Sequence, residues 1–143
     1  MPKITLKGSC LCGNIQYEVA GKAQRFYHCH CSRCRKMTGT GHASNLFVSP
    51  HTALTWTKGQ ELLSHYKVPD AERFATCFCT QCGCPMPRAI PELLAILIPA
   101  GSLDSPAPLQ VQARVFWNSR AEWSCSDELP VFAEYPPTKK KTR

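Results

Sequence analysis

No stretch of this chain approaches the roughly 20 consecutive apolar residues that a membrane-spanning helix needs, which argues against a helical membrane protein. Met1 to Gly8 holds no apolar run of the kind a secretory signal carries, so the expected compartment is the cytoplasm. Internal repeats and low-complexity linkers are missing too, and 143 residues allow one domain with a real core but not two. Acidic residues are scarce, with 10 Asp and Glu against 17 Lys and Arg, giving a formal charge of +7. That excess invites a nucleic-acid partner, and its distribution weakens the idea. Lys139, Lys140, Lys141 and Arg143 crowd the last five positions, so residues 138–143 read as a basic, solvated, disordered tail behind a domain at 1–137. No basic and aromatic residues interleave as in single-strand binders, and nucleic acid ranks last among partners.

What the chain has in plenty is cysteine. Seven of its ten fall into three clusters: Cys10-Leu11-Cys12, then Cys29-His30-Cys31-Ser32-Arg33-Cys34, then Cys79-Thr80-Gln81-Cys82. Clustered cysteines without an export signal point to metal or catalysis, not to a disulfide framework. A structural zinc takes four ligands in a closed tetrahedron, while a catalytic zinc has three protein ligands and one open position. The outer pairs make the first arrangement and the middle triplet the second, so two zinc ions per chain are expected. Filling both sites lowers the formal charge by three, from +7 to +4.

Strand signals dominate the rest. Ile15, Tyr17 and Val19 alternate with Asn14, Gln16 and Glu18 between Gly13 and Gly21, the period-two pattern of a half-buried strand. Further strands are expected at Ala43–Val48, Ala53–Thr57, Glu61–Lys67, Arg73–Phe78, Leu94–Ile98 and Leu109–Trp117, punctuated by 12 prolines and 8 glycines. One short helix is expected, with Ser32 near its start and Gly39 past its end. The fold class is therefore mainly β, with short antiparallel strands and one short helix. Strand edges can pair, and the sequence sets no oligomeric state.

Residues two apart on a strand share a face, so Cys10 and Cys12 can aim at one metal. A tight turn at Cys79-Thr80-Gln81-Cys82-Gly83 would bring the other two sulfurs together, with glycine tolerating the backbone required. In the triplet, Cys29 and Cys31 share a face and Cys34 follows in the first helical turn. Arg33, Arg35 and Lys36 favour thiolates there. His28 and His30 are out of phase with Cys29 and Cys31, so both read as supporting or surface groups, and the fourth position stays open.

Three segments resemble the glutathione-dependent formaldehyde-activating enzyme family, whose domain is shared with centromere protein V and has the Mss4-like fold. They are Gly8-Ser9-Cys10-Leu11-Cys12-Gly13-Asn14-Ile15, His28-Cys29-His30-Cys31-Ser32-Arg33-Cys34-Arg35-Lys36-Met37-Thr38-Gly39 and Phe78-Cys79-Thr80-Gln81-Cys82-Gly83. The resemblance continues through Ala100-Gly101-Ser102-Leu103-Asp104 to Trp123 and Asp127-Glu128-Leu129-Pro130-Val131-Phe132. It implies structural zinc on Cys10, Cys12, Cys79 and Cys82, and a catalytic zinc on Cys29, Cys31 and Cys34. It also implies a zinc-dependent carbon–sulfur lyase that joins glutathione and formaldehyde reversibly as S-hydroxymethylglutathione, or makes a related thiol–aldehyde adduct. Three thiolates quench much of zinc's charge, which favours delivery of a thiolate over strong polarisation of the aldehyde. Arg33, Arg35 and Lys36 are then candidates to meet the carboxylates of glutathione, the co-substrate. The alternatives are a zinc protein that binds a thiol or small ligand without turnover and, last, a module working through its basic tail.

Three cysteines stand outside the clusters. If Cys79 to Cys82 closes a hairpin, Cys77 and Cys84 lie opposite each other, as reduced packing thiols, a disulfide or misregistered ligands. Cys125 reads as structural, and Trp56, Trp117 and Trp123 as core or pocket wall.

Overall fold

The computed structural model describes residues 3–124 and 128–137. Cys125 and the tail at 138–143 lie outside them. The described residues form nine strands and one α-helix: β1 (Lys3–Ser9), β2 (Gln16–Cys29), α1 (Ser32–Thr38), β3 (Ala43–Ser49), β4 (Leu54–Lys58), β5 (Leu63–Lys67), β6 (Ala75–Cys79), β7 (Arg88–Ile90), β8 (Ala95–Pro99) and β9 (Ala113–Val115). The mainly β, antiparallel expectation with one short helix holds, and its cysteine clusters are in keeping with the Mss4-like architecture.

β2 organises the molecule. Its 14 residues pair with β1 and β4 over the first half and with β3 and β9 over the second. β8 and β7 extend the sheet beyond β3, whereas β5 and β6 form a separate two-stranded sheet. Alternate residues of β1, β2, β3 and β8 turn inward, and Leu6, Ile15, Tyr17, Val19, Leu46, Val48, Ile96 and Ile98 are buried together. This core also takes in Cys10, Cys77, Cys79 and Met86.

Gly21 marks no strand end, as its flanking position suggests. It lies mid-strand, where a Cβ would strike the Ser49 carbonyl oxygen of β3, so glycine permits the close approach of two strands. The strand then shifts register between Ala23 and Arg25 and carries on to Cys29. β1 and the three-residue β7 are additional to the expected strands. Leu94 is exposed with a left-handed backbone, so β8 starts one residue later than its apolar run. α1 matches its expected bounds, and Gly39 caps it at φ 71° with its N–H donated to the Arg35 carbonyl. No helix among the described residues is long and apolar enough to cross a membrane.

Candidate metal centres and the adjoining cleft

The outer pairs converge as expected, by a different route at the first. β1 ends at Ser9, and Cys10 to Gly13 is a turn, not a strand. The two halves mirror each other. Gly13 donates its N–H to the Cys10 carbonyl at 3.0 Å, and Gly83 donates to the Cys79 carbonyl at 2.8 Å. Both glycines hold positive φ, 79° and 75°, where other residues would be strained. The Cys10 sulfur accepts the Ile15 N–H at 3.3 Å, a bond that favours its thiolate, and the Cys79 sulfur accepts the N–H of Gln81 at 3.4 Å. Asn14 Nδ2 donates to Gln81 Oε1 at 2.6 Å, tying turn to turn.

The four sulfurs lie within 4.8 Å of one another and could hold a metal. A thiolate tetrahedron with bonds of about 2.3 Å has edges of about 3.8 Å. Cys10 and Cys12 stand 3.6 Å apart and Cys12 and Cys79 3.9 Å, so these two edges match such an ion. Cys10 and Cys79 of this group are part of the main core.

The sulfurs of Cys29, Cys31 and Cys34 also lie within 4.8 Å of one another, with no fourth His, Cys, Asp or Glu joining the group among the described residues. Cys29 ends β2, paired with Ala43 of β3 and Val115 of β9. Cys31 is the N-cap of α1, its sulfur accepting the Cys34 N–H at 3.3 Å. The hydrogen bond with Cys34 holds the Cys29 thiol down to about 6 despite burial, while the same bond and burial push Cys34 well up. Cys34 thus serves as the protonated partner of Cys29, an arrangement that a cation would relieve. The triplet belongs to a small satellite cluster with Ala43, Met37 and Phe74, apart from the main core.

His28 and His30 stay outside both donor groups. His28 stacks on His42 with ring centroids 3.8 Å apart, and His30 is fully buried between His42 and Trp117. His30 is therefore no surface group. Burial, then neighbouring positive charge, lowers all three imidazoles, which favours their neutral forms.

Cys34 forms part of the wall of a cavity of about 250 Å³ between α1, β3, β6 and β8. Across the shared residues Met37, Phe74, Thr76, Cys77 and Pro85 lies a cleft of about 610 Å³, lined also by Arg33, Lys36 and Tyr66. Arg35 borders neither. Arg88, Phe74 and His42 were not singled out by sequence reasoning. Arg88 lies in the cavity wall, its guanidinium 6.0 Å from the Phe74 ring centroid, and makes no ion pair among the described residues. Burial lowers its affinity for a proton, and the nearby sulfurs of Cys34 and Cys77 raise it.

Cys77 and Cys84 are not opposite each other. The register pairs Phe78 with Pro85, and Cys79 and Met86 donate N–H groups to the carbonyls of Cys84 and Cys77. Each thiol therefore faces a different partner, Met86 for Cys77 and Cys79 for Cys84. Both line the cavity, and burial pushes Cys77 up to about 11. Trp56 packs edge-on against Tyr17 at the core, whereas Trp123 is 69% exposed and lies over Gly41.

Residues 5–119 match the family model described as glutathione-dependent formaldehyde-activating enzyme. Among solved structures, the chain is similar to a Rhodobacter sphaeroides protein determined as a structural-genomics target. The two share 25% identity with a TM-score of 0.52, over 76% of this chain and 98% of that one. No curated protein matches the chain.

Proposed function

Because the chain belongs to the glutathione-dependent formaldehyde-activating enzyme family, we propose that it is a carbon–sulfur lyase acting on glutathione–aldehyde adducts, with one structural and one catalytic zinc. The observation that carries this reading is the incomplete donor set of Cys29, Cys31 and Cys34, one of whose sulfurs borders a cavity. Zinc held there would supply an open position at which a thiol is stable as thiolate near neutral pH.

The protein's own residues do the rest. Arg33 and Lys36, both bordering the larger cleft, meet the two carboxylates of glutathione there. Arg35, in neither wall, acts at most at longer range. The thiolate sulfur attacks the carbonyl carbon, a carbon–sulfur bond forms, and the π pair moves onto oxygen. Arg88 faces that developing charge from the cavity wall, where restricted access of water strengthens the attraction. The oxygen then takes up the proton that the thiol gave up, which balances the addition. The reverse path releases aldehyde and thiol.

Cobalt in place of zinc gives the test, because thiolate coordination to cobalt has a visible charge-transfer band. Glutathione is expected to raise that band by about one thiolate in a site built for four ligands. S-methylglutathione, which offers no thiolate, leaves it unchanged. Identical responses to the two compounds would overturn thiolate delivery and favour a binding protein without turnover.

A further inference from the structure

The cavity beside Cys34 is larger and less polar than a one-carbon aldehyde requires. Met37, Phe74, Met86, Leu97, Pro99 and Ala43 supply apolar parts of its wall, beside polar residues such as Asn45, Thr38 and Ser102. Packed interiors hold few voids bigger than a water molecule, and keeping one open costs stability. This one is framed by β3, β6 and β8, whose neighbouring residues Leu46, Val48, Ile96 and Ile98 are fully buried, so its shape is preformed and does not rest on surface loops alone. An apolar cavity of about 150 Å³ stays dry and accepts benzene. The volume here is about 250 Å³.

Two candidates could fill it, the thiol's peptide or the aldehyde's substituent. Glutathione carries two carboxylates, an ammonium group and two amides, which apolar walls penalise. The neighbouring cleft is largely apolar as well, but Arg33 and Lys36 in its lining offer the two carboxylates cationic partners. Formaldehyde has no carbon beyond the carbonyl with which to occupy the remaining space.

Resting on the lyase reading above, we infer that the aldehyde carries an apolar group, a straight alkyl chain or a small aryl ring, that seats in this cavity. Its carbonyl then lies at the Cys34 end near Arg88. The bond changes are those of the addition already given, with an apolar substituent in place of hydrogen on the aldehyde carbon.

Stable thioethers separate binding from turnover. S-hexylglutathione and S-methylglutathione differ by five methylenes, each worth roughly fourfold in affinity when fully buried. Titrated calorimetrically into the zinc-loaded full chain, the hexyl compound is expected to bind at least tenfold more tightly. Ala75→Leu fills the cavity from β6 and Leu97→Phe from β8; either residue lines this cavity and not the neighbouring cleft. In whichever variant keeps its metal and its melting transition, the hexyl-to-methyl ratio is expected to fall toward one. Equal binding of both thioethers by the wild type would overturn the inference and leave the glutathione reading standing. So would a hexyl preference that survives in the filled variants. If neither thioether binds, the glutathione reading fails and the inference fails with it.

Discussion

Replacing Cys10 with serine is expected to strip metal from the four-cysteine site and lower the melting temperature by about 10 °C or more. A structural zinc contributes roughly 10–16 kcal/mol of apparent binding energy, or about 3 kcal/mol for each of four ligands, and that energy is also folding energy. At about 3–5 °C for each kcal/mol in a domain of this size, the loss is large against a typical total stability of about 5–15 kcal/mol. The site joins the first turn to the β6 turn across almost seventy positions and is built into the main core. Cys31→Ser should behave differently. All three ligands of the triplet lie within six residues, and serine is a good N-cap whose hydroxyl can accept the Cys34 N–H in place of sulfur. The helix keeps its cap while the metal loses a thiolate, so thiol-dependent activity disappears with a shift of only a few degrees. Calorimetry and metal analysis of the two variants check this, and equal losses of melting temperature would remove the division between structural and catalytic sites.

Arg88→Met is expected to reduce kcat/KM for adduct formation by about 10²–10³, the usual effect of deleting a charge-stabilising donor from a sheltered site. Methionine preserves the apolar stem that packs near Phe74, so the melting temperature should move little. Lysine at the same position restores a positive charge without the planar fork, and should recover part of the rate. S-methylglutathione lacks the oxygen that Arg88 meets, so its affinity is the control: binding that falls as far as the rate would assign Arg88 to holding the thiol instead.

The two groups of converging cysteines were legible because their geometry is local. Cys79 to Cys82 closes in one turn, and Cys29 to Cys34 in one strand end and one helical turn, so spacing alone carries the geometry. α1 could be bounded for the same reason, with Ser32 at its start and Gly39 in the left-handed cap. Gly21 misled because glycine that ends a strand and glycine that lets two strands touch look identical in one dimension; the Ser49 carbonyl that distinguishes them lies 28 positions away. The pairing of Cys77 with Cys84 failed on register, since centring the hairpin on Cys79–Cys82 ignored the turn bond from Gly83 to Cys79. Arg88, Phe74 and His42 had no local pattern at all. They meet beside Cys34 only after β3, β6 and β7 have found their places.

Seven residues are too few for a helix to persist by itself in water, where about 12–15 are needed even for favourable sequences. α1 nevertheless begins on Cys31, whose sulfur serves both the helix and the triplet. A metal on the triplet would consequently steady the helix beyond what its cap supplies. Amide hydrogens of α1 such as that of Arg35, bonded to the Cys31 carbonyl at 3.0 Å, should trade with deuterium slowly in loaded protein and quickly in Cys31→Ser, which empties the triplet alone, while those of buried Val19 and Leu46 stay protected in both. Loss of metal from the triplet alone would fray a single short segment and leave the body, which is held through the four-cysteine group, intact.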